Sequence, residues 1–314
     1  MLRLAAERML RPNAYVRNGV WFMLLLQLVV NGIVAGAIYA LMAVGFALIY
    51  NSTRIFHVAH GALYTLGGYA FFVLVRQLGV NLTVAFGLTV LFTAAAGLVV
   101  EILGYGPLRK RGAGPANYLI SSLGIFIVMQ NAVALKFGNQ ARLLREEPLP
   151  SFQIGGIMVT LLHIAVIVAC LIIFPCLQMF LSRTTIGKGI RALADNPDLA
   201  FMMGIRTDRL YLVIHAIGSG LAGVAAAFVS LDVGVRPEMG LSVVLVAAVA
   251  VIIGGVGYLP GAGIAAVILG LIQNLSVWQI SAQWQDTIAF AIFALFLVWR
   301  PQGIFGKSLV TRSS

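Results

Sequence analysis

Long apolar runs separated by short basic loops set the terms for this chain. The runs fall at about 21–50, 55–75, 82–106, 117–135, 157–181, 210–231, 236–280 and 284–299. A helix needs about 20 mostly apolar residues to cross a bilayer. Inside hydrocarbon each backbone polar group has to be satisfied within the segment, so all these runs are expected to be helices. Two do not fit one upright helix. The run 21–50 is long and contains Asn31-Gly32, which suits one tilted helix with an interfacial start. The run 236–280 is interrupted by GGVGYLPG, Gly254 to Gly261. Pro260 amid glycines breaks a helix there and divides the run into two spans. The expected fold is all-α: a polytopic membrane protein of eight to nine spans. A basic N-terminal segment occupies 1–20, a transmembrane domain 21–306 and a tail 307–314.

Composition agrees. Only 10% of the 314 residues are charged and 61% are hydrophobic, whereas a soluble domain carries about 25% charged residues. The net charge of +11 is spread between the runs rather than gathered in a groove-tracking patch, which argues against nucleic acid as a partner. Cytoplasmic loops of membrane proteins are enriched in Lys and Arg. The loop 182–209 holds Arg183, Lys188, Arg191, Arg206 and Arg209, and an earlier loop holds Arg109, Lys110 and Arg111. Two spans separate these loops, so both are expected in the cytoplasm. Four more spans return Arg300, Lys307 and Arg312 to the same side, provided the run 236–280 is split. The N-terminal third fits less well, because counting back puts Arg3, Arg8, Arg11 and Arg17 outside. Either 21–50 crosses twice, or one early segment is re-entrant, or the charge rule fails there. The start of the chain reads as an uncleaved segment, suited to lie helical on the membrane surface.

Few residues carry evident chemistry. In the loop 182–209, DNPDLAFMMG reads as a short helix: Asn196 is a good N-cap after Asp195, Pro197 suits the first position, Asp198 favours the dipole and Gly204 stops it. Its Leu199, Phe201, Met202 and Met203 suit either a partner's groove or the lipid surface. His57 and His60 stand three apart, hence on one helix face. Hydrogen bonding to backbone carbonyls of a neighbouring helix is favoured over direct contact with a solute. Glu101 is expected to pair with Arg109 or another base of its loop. Asp232, Arg236 and Glu238 read as a solvated outer loop. Asn31, Gln130, Asn131, His215, Gln273 and Asn274 are expected to bond other helices, and any could line a path. Cys170 and Cys176 read as small apolar side chains. No metal-ligand spacing, P-loop or hydrolase motif is present. Hence no catalytic residue, cofactor or metal is expected, and energy for active transport has to come from an ion gradient or a partner.

Several stretches resemble the permease subunits of branched-chain amino-acid ABC importers. They are GAIYALMAVGFALIYNSTRIFHVAHGALYTLGGY, YGPLRKRG, RTTIGKGIRALADNPDLAFMMGIRTDR, PEMGLSVVLVAAVAVIIGGVGYLPGAGIAAVILGLIQN and WRPQGIFG, in order from about Asn31 to Gly306. The resemblance implies a multi-pass subunit of a bacterial inner membrane, forming half of a path with a second, similar permease. Two cytoplasmic ATPase subunits and a periplasmic binding protein are the further partners. It implies that Asp195, Asn196, Pro197, Asp198, Leu199, Phe201, Met202 and Gly204 form the coupling element that meets the ATPase. The residues expected along the path are Asn31, His57, His60 and Gly61. The commoner family pattern reads Asn-Phe-Ala-His-Gly where this chain has His57, Val58, Ala59, His60 and Gly61, so a substrate other than leucine, isoleucine or valine stays open. Urea or short amides are the alternative cargo. An ion-coupled secondary transporter, which needs acids or histidines near the midplane, and a scaffolding subunit are the rival classes.

Overall fold

The computed structural model describes residues 14–145, 150–300 and 302–306. The expectations for 1–13 and for the tail 307–314 lie outside the described residues. One unbroken helix, α1, runs Ala14–Thr53. At 1.5 Å per residue it is about 60 Å long, twice the hydrocarbon thickness of about 30 Å. Asn31-Gly32 does not break it, so the possibility that 21–50 crosses twice is ruled out. Trp21, Phe22, Met23 and Leu24 are exposed, whereas Ala40 to Phe46 are almost wholly enclosed.

The chain then turns back as α2, Ala59–Phe72, which continues through a π-helical stretch to Gln77. Helix α3, Leu82–Val99, continues through a second π stretch, Val100–Tyr105, and a last turn, Gly106–Lys110. Next come α4, Pro115–Phe137, and α5, Leu161–Arg183. Two short helices follow, α6, Thr185–Asp195, and α7, Pro197–Met202. The chain closes with α8, Thr207–Val233, α9, Met239–Gly254, α10, Leu259–Ser276, and α11, Gln285–Trp299. Among the described residues, seven helical segments are long and apolar enough to cross a membrane: those of α1, α3, α4, α5, α8, α10 and α11. The shorter α2 and α9 also run through the bundle, which is compatible with the eight to nine spans expected.

Two expectations about elements need correction. The run 157–181 is not all helix. Ser151–Ile154 (β1) and Ile157–Thr160 (β2) form an antiparallel hairpin, and α5 starts only at Leu161. Gly155 and Gly156 both have positive φ, 59° and 87°, the backbone a two-residue hairpin turn demands. The hairpin lies beyond the bundle and leans on α1. The Gln27 amide donates to the Met158 carbonyl at 3.1 Å and accepts from its N–H at 2.8 Å. In the run 236–280, the expected division between α9 and α10 is present, but Pro260 sits in the first turn of α10 rather than in the break. A proline is tolerated there because that N–H has no intrahelical partner.

Small residues set the helix contacts. A Cβ on Gly36 of α1 would lie 2.7 Å from the Val267 Cα of α10, and one on Gly270 would run into the Gly36 backbone. Gly61 of α2 and Gly240 of α9 meet back to back in the same way. Without a hydrophobic drive between helices in lipid, such close approach is what makes association favourable.

The ends of the bundle are chemically distinct. At one end lie the loop 182–209, the Gly254–Tyr258 turn and the end of α1. Arg54 donates to the Ala194 carbonyl at 3.2 Å, and the Gly257 N–H to Asn51 at 3.0 Å. This is the basic end. At the other, the hairpin end, Val235 exchanges backbone hydrogen bonds with Arg142, and Trp21 stacks on Trp278.

Candidate translocation site and coupling surface

A cavity of about 530 Å³ opens at the hairpin end between α1, α2, α5, α8, α9 and α10. Its polar lining comes from Gln27, Asn31, Tyr39, Tyr64, His163 and Asp232 among others. A second cavity of about 300 Å³, lined by Arg236, Glu238 and Ser242, shares Tyr64, Val229, Val233 and Val243 with the first. The two adjoin across these shared side chains and together make up a vestibule at this end. Of the expected path residues, Asn31 lines it, hydrogen-bonded to Gln27 at 2.9 Å one turn earlier on α1.

His57, His60 and Gly61 line neither chamber. Gly61 is a helix contact against Gly240. His60 precedes Tyr64 by four residues and so lies on the same side of α2, one turn deeper. It packs against Gly45 and stands edge-on to Phe46 of α1. His57 is not on the helix at all, because α2 begins at Ala59. Residues 55–57 enter the bundle as non-helical chain, which membrane depth tolerates only inside protein. Rather than a backbone carbonyl, His57 Nδ1 meets the Tyr105 hydroxyl at 2.7 Å. The His57 ring lies 5.5 Å from that of His215, and Tyr105 lies 5.6 Å from His215.

The π stretch of α3 supplies the rest of this buried cluster. Glu101, 3% exposed, receives both guanidinium arms of Arg109, at 2.5 and 3.4 Å. The expected Glu101–Arg109 pair is thus present, though within the bundle rather than at its margin. Glu101 also lies 3.4 Å from His215 Nδ1, and the Arg109 guanidinium covers the Tyr211 ring at 3.5 Å. Among the described residues, no set of three or more ligand-type side chains is placed to hold a metal ion.

The other in-span polar residues mostly bond within their own helices, contrary to expectation. Asn131 donates to Ile127 and Asn274 to Gly270, each four residues back, whereas His215 Nδ1 both pairs with the Tyr211 carbonyl of its own helix and meets Glu101 of α3. The preceding turn's carbonyl is the nearest acceptor. Gln273 does reach another helix, donating to the Gln285 carbonyl at 3.0 Å. Tyr39, Tyr64 and His163 were not singled out by sequence. The available signal was a polar group interrupting an apolar run.

At the basic end α6 and α7 form a bracket. Thr184 caps α6 by accepting from the Gly187 N–H at 3.0 Å, and α6 buries Gly187, Ile190 and Leu193. Asp195 ends α6 and Asn196 caps α7, accepting from the Leu199 N–H at 3.0 Å. Pro197 and Asp198 form the first turn, as their residue types suggest. Gly204 has φ +79°, with Ile205 N–H bonded to Ala200 and Gly204 N–H to Phe201. That is the Schellman pattern, which satisfies the last carbonyls. Only Ala200 of α7 is buried. Phe201, Met202 and Met203 are 71%, 80% and 75% exposed, and Leu199 points outward with them.

Comparison with known proteins places these features. Residues 28–297 match the family model described as branched-chain amino acid transport system / permease component. A high-affinity branched-chain amino acid transport system permease protein, BraD of Pseudomonas aeruginosa, is 30% identical over 91% of this chain and 97% of its own length. LivH of Escherichia coli, of the same description, is 30% identical over 93% and 98%. A probable LivH from Methanocaldococcus jannaschii is 25% identical over 88% and 91%. A solved chain of an ABC transporter in an inward-facing conformation shares 16% identity at a TM-score of 0.49, over 92% of this chain and 90% of that one, too distant to bear on the fold. With its match across nearly the whole bundle, this chain belongs to the branched-chain amino-acid transport permease family.

Proposed function

We propose that this chain is the membrane subunit of a binding-protein-dependent ABC importer for branched-chain or related α-amino acids. It forms half of the path in a bacterial inner membrane, and a second, similar permease subunit supplies the other half. The basic end faces the cytoplasm, as the charge of its loops favours. Two ATPase subunits dock there, and a periplasmic binding protein delivers substrate at the hairpin end. The chain carries out no catalysis, and hydrolysis belongs to the ATPases.

The observation that carries this reading is α7. A six-residue helix, closed at both ends by hydrogen bonds, presents Leu199, Phe201, Met202 and Met203 outward beside a basic loop. It is far too short to span lipid. Apolar anchors of this kind sit in a partner's pocket and dominate its interface, each costing about 2 kcal/mol or more when truncated. Phe201→Ala with Met202→Ala should therefore lower co-purification of the ATPase and depress ATP-dependent uptake in vesicles at matched membrane levels. Wild-type assembly and uptake in the double variant would remove α7 from the coupling role and return it to the lipid surface.

A further inference from the structure

A second large cavity opens sideways from the bundle, on the other side of α2 from the vestibule. Helices α3 and α4 both pack on α2, but they meet each other chiefly at the π stretch of α3, near the basic end. Toward the hairpin end they part and leave a slot of about 620 Å³. Leu66 and Val73 of α2 form its floor, Leu88 and Phe92 of α3 one wall, and Met129 and Val133 of α4 the other. Along α2 the slot runs from Leu66 to Leu74, about 12 Å at 1.5 Å per residue. That is most of one leaflet's share of a hydrocarbon core about 30 Å thick. The π-helical stretch that ends α2 begins at Val73, so the floor closes on a widened turn, a feature that recurs at functional sites.

The slot is apolar along its length and cationic at one end. Lys136, in the last turn of α4, lines it and is exposed. Its ammonium lies 5.4 Å from the centroid of the Phe137 ring, and the Arg142 guanidinium lies 5.9 Å from the same centroid. Neither cation makes an ion pair with another described residue. The acids Asp232 and Glu238 line the vestibule with Tyr64. Tyr64 and Leu66 are two apart on α2 and so face different sides. Among the described residues, the charge at the end of the slot is therefore unbalanced.

An apolar slot one leaflet deep, with cations at its headgroup end, matches a lipid that carries a negative headgroup. We infer that it holds an anionic phospholipid of the leaflet at the hairpin end. One acyl chain lies between Leu88 and Phe92 on one side and Met129 and Val133 on the other. Lys136 lays its methylene stem on the apolar wall and extends its ammonium to the phosphate. Arg142 adds positive charge at the same level, and it is fixed there because its guanidinium holds the Phe137 carbonyl at 2.6 and 3.1 Å. The lipid supplies the contacts that α3 and α4 do not make with each other, and so sets their separation at this end.

The probe is phosphatidylglycerol with a diazirine in one acyl chain, in phosphatidylcholine vesicles holding the full chain. Phosphatidylcholine with the same diazirine is the reference, and peptide mass spectrometry locates the crosslinks after irradiation. The anionic probe should mark residues 66–74 and 129–137 about fivefold above the reference, the preference that one cation gives near an anionic headgroup. It should show no such preference on the exposed face of α11, at Leu295 and Val298. Lys136→Ala should remove most of the excess in the slot, and Lys136→Arg should keep it. Both changes are at an exposed position and leave the core intact. Ala132→Trp, which fills the slot from an exposed site, should remove slot crosslinks by both probes and spare those on α11. Equal yields of the two probes in the slot, or an excess that survives Lys136→Ala, would overturn the inference. So would slot crosslinks that form in the isolated chain and vanish in the assembled transporter, because a second permease subunit would then cover the slot.

Discussion

The residues that most constrain one another are Glu101, Arg109, Tyr211, His215, Tyr105 and His57. Glu101 is enclosed in the bundle against its guanidinium partner, and deleting one member leaves a charge without compensation. Glu101→Ala should lower the stability of the purified chain by about 2 kcal/mol, at the low end for a buried pair because Arg109 keeps partial access to solvent. Glu101→Gln should lose less, since it can still accept from Arg109. Thermal unfolding in detergent measures both. Equal, near-zero shifts would mean that the pair contributes nothing net. Sequence could read this site only in part. Glu101 and Arg109 share a helix, so their pairing was legible. His57 meets Tyr105 across 48 residues and His215 across more, and nothing local announces either partner. The departure from the family's Asn-Phe pattern at His57-Val58 therefore falls in an internal polar cluster and leaves the vestibule residues untouched.

At the scale of elements, legibility followed the locality of the forces. Helix α7 was readable because its start and stop are made by neighbours: Asn196, Pro197 and Asp198 at one end, Gly204 at the other. Asn196→Ala should remove the cap and cost α7 about 1 kcal/mol. Amide hydrogen exchange at Leu199, whose N–H the cap accepts, should rise several-fold while amides in α8 keep their protection. Unchanged exchange at Leu199 would show that packing of Ala200, not the cap, holds the helix. The β1–β2 hairpin was missed for the opposite reason. Its strand residues Ile157, Met158 and Val159 are as apolar as a span, and only Gly155-Gly156 signalled a turn. Composition cannot distinguish a strand leaning on the exposed flank of α1 from the first turn of α5. Helix α2 was similarly overdrawn, because Ile55 and Phe56 continue the apolar run while the backbone there is not helical.

The whole molecule turns on orientation, which depends on counting every crossing. Helix α1 crosses once, so its start belongs to the hairpin end. The arginines and lysines at 54, 109–111, 183, 188, 191, 206, 209 and 300 gather at the other. Charge near short loops decides orientation, and later loops can outvote a first helix. The basic end should therefore be cytoplasmic, with the start of α1 on the opposite side. Three single cysteines test this in a Cys176→Ser background, because Cys176 is exposed. Asp198→Cys and Tyr258→Cys are both at exposed positions of the basic end, and Gln153→Cys is exposed on the hairpin. An impermeant maleimide should label positions 198 and 258 only in inverted vesicles, and position 153 only in right-side-out ones. The reverse for all three would keep the fold and invert the membrane assignment, and with it the side on which ATPases can dock. Labelling of 198 and 258 from opposite sides would break the pairing of the Gly254–Tyr258 turn with the loop 182–209. That pairing is what the Asn51–Gly257 bond and the joint wall of Arg191, Ala194 and Tyr258 describe, so this outcome would mean that α9 does not reach the cytoplasmic face. The coupling assignment for α7 needs the cytoplasmic face and delivery of substrate at the hairpin end needs the opposite one, and these labelling experiments test that requirement directly.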